Sequence, residues 1–244
     1  MKAIILSAGQ GSRLGHLTDD RPKCLIEFGG KSLLDWQLDT LAANGVDEVV
    51  VVTGFRDDQI EAVLARRDGG PRVRTVFNPF FKVADNLGSL YMVRGELAGD
   101  CLVWNGDTLV STALMARVVG DDTPGICVTI DRKPAYDDDD MKVIADPDGR
   151  LRAIGKRISE GVNAESIGLL AFRGGGAERF AEAIDRAMRT TEGTTIWYLR
   201  VIHHLAQNGD VRTLDISGEQ WGEVDFPEDV APAEALVKGW GAQA

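Results

Sequence analysis

Cysteine, histidine and long apolar runs are scarce in this 244-residue chain, and each scarcity excludes a class of protein. The three cysteines, Cys24, Cys101 and Cys127, stand far apart in apolar, strand-like runs and show no Cys-x-x-Cys spacing. That argues against a disulfide framework or a cysteine zinc site and predicts reduced, buried thiols in a cytoplasmic protein. His203 and His204 are adjacent and lack a third ligand at metal spacing, so they read as the surface of a helix. No apolar run approaches the roughly 18 residues of a membrane-crossing helix. The four apolar residues between Lys2 and Ser7 are too few for a secretory signal. Positive charge is also short: 27 Lys and Arg face 38 Asp and Glu, a net charge of -11. Non-specific binding to nucleic acid or to an anionic membrane is therefore not expected. Only 8 prolines occur and no low-complexity linker, which predicts a single domain over residues 1–244.

Two familiar phosphate-binding patterns are missing as well. Ala3-Ile4-Ile5-Leu6 reads as a buried first strand that breaks into Ser7-Ala8-Gly9-Gln10-Gly11-Ser12-Arg13-Leu14. A dinucleotide fingerprint would place a third Gly where Leu14 stands, and would open a helix that Arg21-Pro22 would cut short. A P-loop would need Gly-Lys-Ser/Thr where the chain has Leu14-Gly15-His16. What remains is a small, glycine-containing loop after a strand. Such a loop bares backbone N–H groups toward a phosphate, and Gly9 and Gly11 permit a close approach. Arg13 adds a planar fork and Lys23 a point charge. The set describes a polyphosphate site, formed by Ser7, Ala8, Gly9, Gln10, Gly11 and Ser12 with Arg13 and Lys23.

Downstream, the pattern alternates strands and helices. Ser32 to Ala43 and Asp57 to Arg66 carry apolar stripes of helical period, and Ser32 with Asp35 forms a cap. Val49 to Val52 is buried on both faces, and Arg72 to Phe77 alternates. A helix opens near Asn86. Further strands are expected at Cys101 to Trp104 and Gly125 to Ile130. Met141 to Ala145 and Arg150 to Ile154 flank Asp146-Pro147-Asp148-Gly149 as a hairpin. Ser166 to Phe172, helices Ala177 to Arg189 and Thr195 to Gln207, strands Val211 to Ile216 and Trp221 to Val224, and a helix from Pro227 complete the chain. The expected fold is α/β: a Rossmann-like open, mostly parallel sheet flanked by helices, with a hairpin-containing subregion in its second half. Residues to about 130 form the nucleotide-binding half and the rest the acceptor-binding half. Ligands of such sheets sit at the carboxyl ends of the strands. The loop, Asp85 to Ser89 and Asn105 to Asp107 fall there.

Asp107 follows Gly106 at the end of a buried strand, placed to hold a divalent cation against phosphate oxygens. Mg²⁺ takes one or two protein carboxylates, and Glu223-Val224-Asp225 offers two acids on one face of a strand. Alternatively, Asp107 is a turn residue and Asp225 caps the Pro227 helix.

Residues 3–23, with Gly9, Gly11, Arg13, Pro22 and Lys23 in order, resemble the signature loop of the nucleotidyltransferase family. That family couples a nucleoside triphosphate to a phosphorylated small molecule and releases pyrophosphate. The resemblance implies that Asp107 and Asp225 hold Mg²⁺, that Arg13 stabilises the leaving pyrophosphate and Lys23 the α-phosphoryl group. It also implies that Lys156 binds the acceptor phosphate. Asp85-Asn86-Leu87-Gly88-Ser89-Leu90-Tyr91, Trp104-Asn105-Gly106-Asp107 and Trp221-Gly222-Glu223-Val224-Asp225 look like the phosphocholine cytidylyltransferase branch. Relatives of that branch also activate aminoalkyl phosphonates. By that likeness the nucleotide is CTP, with Asn86 and Ser89 nearest the base and Gly106 also in the nucleotide site. An amine or quaternary ammonium acceptor would want an aromatic and acidic pocket. Trp197, Tyr198, Trp221 and Glu223 are the candidates, with Tyr136 and Asp137 to Asp140 close in sequence to the hairpin. A sugar-1-phosphate nucleotidyltransferase is the alternative reading. The oligomeric state stays open, a homodimer included.

Overall fold

The computed structural model describes residues 1–209 and 211–241. In chain order the elements are β1 (Lys2–Ser7), a short ribbon of β2 (Glu27–Phe28) and β3 (Lys31–Ser32), α1 (Leu33–Ala43), β4 (Glu48–Thr53), α2 (Asp57–Leu64), β5 (Arg72–Phe77) and α3 (Asn86–Met92). There follow β6 (Cys101–Asn105), β7 (Thr108–Val110), α4 (Thr112–Gly120), β8 (Gly125–Asp131), β9 (Lys142–Ala145), β10 (Leu151–Ile154) and β11 (Ala164–Arg173). The chain ends with α5 (Gly176–Met188), α6 (Tyr198–Gln207), β12 (Val211–Asp215), β13 (Trp221–Glu223) and α7 (Val230–Gly241).

β1 lies at the centre of the first half, parallel to β4 on one side and β6 on the other, with β5 parallel to β4. Alternate residues of these strands feed opposite cores. Ile4, Val50 and Val103 pack with α3, α5 and α6, whereas Ala3, Ile5, Val49 and Val51 pack with α1 and α4. This is why the strands read as continuous apolar runs. β11 runs antiparallel to both β6 and β8, and its first residues also pair antiparallel with β9. The β9–β10 hairpin thus docks on the same strand that borders the parallel β5-β4-β1-β6 sheet.

A third, smaller core decides where the site lies. Leu14 of the glycine loop is fully buried with Phe28, Leu33, Leu109, Val224 and Val237. It ties the loop to β13 and α7. β13 pairs antiparallel with β7, placing Glu223 opposite Thr108, and Val224 N–H donates to the Asp107 carbonyl at 3.1 Å. Two acidic stretches more than a hundred residues apart in sequence thereby meet.

Several boundaries differ from the sequence expectation. α6 starts at Tyr198 and not at Thr195, because Trp197 is extended. Pro227–Asp229 is a 3-10 turn leading into α7, capped by the Asp229 carboxylate accepting the Asp225 and Phe226 N–H groups. The β2–β3 ribbon, β7 and α4 were not expected. The first two are too short to give a periodic signal.

Candidate active site

The glycine loop leaves β1 through Gly9 and turns at Gly11, whose φ of 76° is left-handed. A β-carbon on Gly11 would lie 2.9 Å from Lys23 Cβ, so the lysine stem packs directly against the loop. Thr18 Oγ1 donates to the Gly11 carbonyl at 2.8 Å and closes the turn. On the far side, Gly106 approaches β1 so closely that a β-carbon would stand 2.5 Å from the Leu6 carbonyl oxygen. Lys23 then reaches Asp107 at the end of the neighbouring strand.

Its ammonium donates to Asp107 Oδ2 at 2.9 Å and to Asp225 Oδ1. Burial disfavours the charged lysine, but the Asp107 and Asp225 carboxylates outweigh it and hold the ammonium above its ordinary value. Arg13 donates to Asp225 Oδ2 at 2.6 Å and to Asp139 Oδ2 at 2.6 Å, with its guanidinium 4.8 Å from the Phe226 ring centroid. Asp139 Oδ1 accepts from Lys156 Nζ at 2.9 Å, and that ammonium stands 5.3 Å from the Trp197 ring centroid. The charges form one chain across the cleft: Asp107, Lys23, Asp225, Arg13, Asp139, Lys156.

Carboxylate oxygens of Asp107, Glu223 and Asp225 come within 4.8 Å of one another. Glu223 has surface open to the cleft, yet protein atoms crowd its carboxyl. That crowding, then the Asp107 and Asp225 charges, push it well above its ordinary value. Three hard oxygen donors that repel one another in this way fit a divalent cation such as Mg²⁺. A cavity of about 320 Å³ on the loop side is lined by Gly9, Gly11, Arg13, Lys23, Asp107 and Asp225. A second of about 300 Å³ shares Arg13, Asp107 and Asp225 and continues to Lys156 and Trp197.

This phosphate-loop geometry is matched by sequence: residues 3–135 correspond to the MobA-like NTP transferase domain. The chain belongs to that nucleotidyltransferase family. It is 26% identical to the choline-phosphate cytidylyltransferase of Streptococcus pneumoniae, covering 98% of this chain and 99% of that one. It is 30% identical to the CMP-5'-(3-aminopropyl)phosphonate synthase of Streptomyces rubellomurinus over 96% of this chain, which spans only 38% of that protein's length. The solved structure of CTP:phosphocholine cytidylyltransferase from S. pneumoniae superposes with a TM-score of 0.80 at 24% identity, over 97% of this chain and 98% of that one. The fold is therefore that of the nucleotidyltransferases.

Within this nucleotidyltransferase, the expected residues divide in three. Arg13, Lys23, Lys156, Asp107, Glu223, Asp225, Asn86 and Trp197 come together in the cleft. So do Ser7, Gly9, Gly11 and Gly106. Ala8 is buried with its carbonyl accepting the Phe55 N–H at 3.0 Å, the Gln10 amide turns to the Thr18 carbonyl at 3.4 Å, and Ser12 is exposed at the start of the next turn.

Three side chains point elsewhere. Ser89 is buried on the inner face of α3, where its hydroxyl accepts from Asn78 Nδ2 at 3.1 Å, so it does not face a base. Tyr198 is fully buried and cannot line an acceptor pocket; its N–H donates to Asn86 Oδ1 at 2.9 Å and its hydroxyl to Asn105 Oδ1 at 3.0 Å. Trp221 packs on the core, its indole N–H donating to Asp131 Oδ2 at 2.8 Å. His203 is a further correction. Its Nδ1 accepts the Ile154 N–H at 3.3 Å and it lines a cavity, where plain helix surface was expected.

The sequence placed Asn105 at a strand end and Asp139 in an acidic run near the hairpin, but gave neither a role of its own. Asn105 lies at the end of β6 in the cleft, its carbonyl accepting from Gln37 at 2.8 Å. Its side chain fits a gap in β11, where Gly168 has φ 71° and a β-carbon would lie 2.7 Å from Asn105 Cγ. A glycine inside an otherwise apolar strand is the signal that points there, since it marks a bulge or a close approach. Asp139 gave no such signal, lying in a run of four acids.

Proposed function

We propose that this chain is a cytidylyltransferase: it moves CMP from CTP to an oxygen of a small phosphorylated or phosphonate acceptor and releases pyrophosphate. The observation that carries this is Lys23, held under the glycine loop between Asp107 and Asp225. Relatives named choline-phosphate cytidylyltransferase and CMP-5'-(3-aminopropyl)phosphonate synthase, each matched over nearly the whole of this chain, support cytosine and a small acceptor. The two halves act as one domain, with the loop side taking nucleotide and the hairpin side taking acceptor.

The loop N–H groups and Arg13 bind the triphosphate, exchanging the Asp139 and Asp225 carboxylates for phosphate oxygens. Lys23 donates to the α-phosphoryl oxygens as charge builds there during in-line attack. Lys156 and Trp197 orient the acceptor so that its phosphate oxygen faces the α-phosphorus, while Asn105 and Asn86 are fixed below by Tyr198. Asp107 and Asp225, with Glu223 beside them, would hold Mg²⁺, which when bound neutralises phosphate charge. Arg13 steadies the departing pyrophosphate. Positioning and charge supply the catalysis, and no covalent enzyme intermediate is required.

The test is pyrophosphate release with Mg²⁺, each of four NTPs, and phosphocholine, 2-aminoethylphosphonate and several sugar 1-phosphates as acceptors. Turnover confined to CTP with non-sugar acceptors supports the proposal. Turnover only with a sugar 1-phosphate replaces it by a sugar nucleotidyltransferase.

A further inference from the structure

The cleft changes sign beyond Trp197. There a cavity of about 500 Å³ adjoins the acceptor side, sharing Met141, Lys156, Trp197 and Leu199 with it. Its remaining walls set Ile154, Ile158 and Ile196 beside Thr195 and His203. Three cations stand around it, Lys156, Arg157 and Arg200, and no Asp or Glu is among its lining residues. In a chain with 38 acids against 27 bases that is a local reversal of charge. Lys156 is partnered by Asp139, whereas Arg157 and Arg200 enter no ion pair among the described residues.

A quaternary ammonium end is poorly served here. Of the four aromatic side chains expected around it, Tyr198 is buried, Trp221 lies off the cleft, and Tyr136 lines a neighbouring cavity with Asp138. Trp197 remains, 40% exposed, and the Lys156 ammonium already stands over its ring. A second cation on that indole would meet a fixed like charge at close range.

We propose that this cavity receives the far end of the acceptor, and that this end carries an oxyanion bound by Arg157 and Arg200. Guanidinium forks match carboxylate and phosphate oxygens bidentately, and the isoleucine side chains fit a short alkyl spacer. The proposal rests on the cytidylyltransferase reading for the order of the site: nucleotide at the loop, acceptor phosphate at Lys156, acceptor tail beyond Trp197.

Calorimetric titration of the protein loaded with Mg²⁺ and a non-hydrolysable CTP analogue tests it. Two matched pairs distinguish the anion: O-phosphoserine against O-phosphoethanolamine adds a carboxylate, and propane-1,3-diyl bisphosphate against propyl phosphate adds a second phosphate. The member with the added anion should bind about tenfold tighter in at least one pair, the worth of one charge-assisted contact. In the Arg157→Ala/Arg200→Ala variant, whose changes are both on exposed side chains, the two members should bind alike. Equal or weaker binding of both added-anion compounds, no binding of either, or a preference that survives in the variant overturns the proposal. Pyrophosphate release from CTP is read separately. Its absence alongside a retained preference sinks the reaction and leaves the cavity assignment; release without the preference does the reverse.

Discussion

Arg13 and Asp139 face one another across the mouth of the cleft, guanidinium to carboxylate at 2.6 Å, although 126 positions separate them. The Arg13 guanidinium and Asp139 side chain are each nearly half exposed, so the pair adds little to stability. Its effect is on binding, because a phosphate that uses Arg13 must first displace Asp139. Asp139→Asn should therefore tighten pyrophosphate binding several-fold at low ionic strength, with a smaller gain at high salt. Titration of pyrophosphate into both proteins checks this; weaker binding by the variant would show that Asp139 positions Arg13.

Lys23 offers a sharper outcome. Its replacement by Ala removes the charge that the proposed reaction aims at the α-phosphoryl group and leaves Asp107 and Asp225 facing each other. We expect kcat to fall about a hundredfold or more. A rise confined to KM would mean that the lysine only helps substrate bind.

Asp107→Ala should abolish divalent-dependent turnover while the circular dichroism spectrum stays native. Chelation of the wild type should have the same effect and be reversed by added Mg²⁺. Near-normal activity in the variant would falsify the carboxylate assignment.

Tyr198→Phe isolates one buried hydrogen bond. Asn105 Oδ1 loses the tyrosine hydroxyl while the ring still packs beside Phe180. The expected cost is about 1–2 kcal/mol of stability, read from urea unfolding, together with a lower kcat/KM because Asn105 is no longer fixed. An unchanged midpoint would show that the Asn105 amide finds another donor.

Glu165 links stability to pH. It is buried at the start of β11, and burial, countered by Lys133 and reinforced by Asp140, pushes its carboxyl to about 7. Between the ordinary carboxylate value and about 7, the folded protein binds a proton there that the unfolded chain has released. Stability should therefore fall as pH rises through that window. Urea midpoints between pH 5 and 8 should show the slope in the wild type and a flatter one in Glu165→Gln; parallel curves would refute the assignment.

The parts of this molecule legible in the sequence are those with local causes. Apolar runs announced β1, β4 and β6, and Gly9, Gly11, Arg13 and Lys23 announced the loop. Asp107 stood out at a strand end and Asp225 as one of two late acids with Glu223, the family resemblance made them a pair, and β7 pairing with β13 does bring them together. Direction and facing were not legible. Ser166 to Phe172 is equally apolar read either way, so nothing in it told that β11 runs antiparallel. Ser89 and Tyr198 have polar atoms whose partners, Asn78 and Asn105, lie on other elements, and only the packed fold turns them inward. Trp197 and Tyr198 are adjacent, yet one lines the cleft and the other fills the core, because the helix begins between them.

β11 has a further consequence. Its later residues pair with β6, which ends in Asn105, and its first residues pair with β9, whose hairpin leads to Lys156. Gly168 sits between these two registers, at the irregularity that separates Ser166 from Leu170. The strand is thus a stiff beam with one joint, and that joint lies against the floor of the cleft. The hairpin and Asn105 are therefore carried by one strand, and the packing of Gly168 on the Asn105 side chain is where its two halves meet.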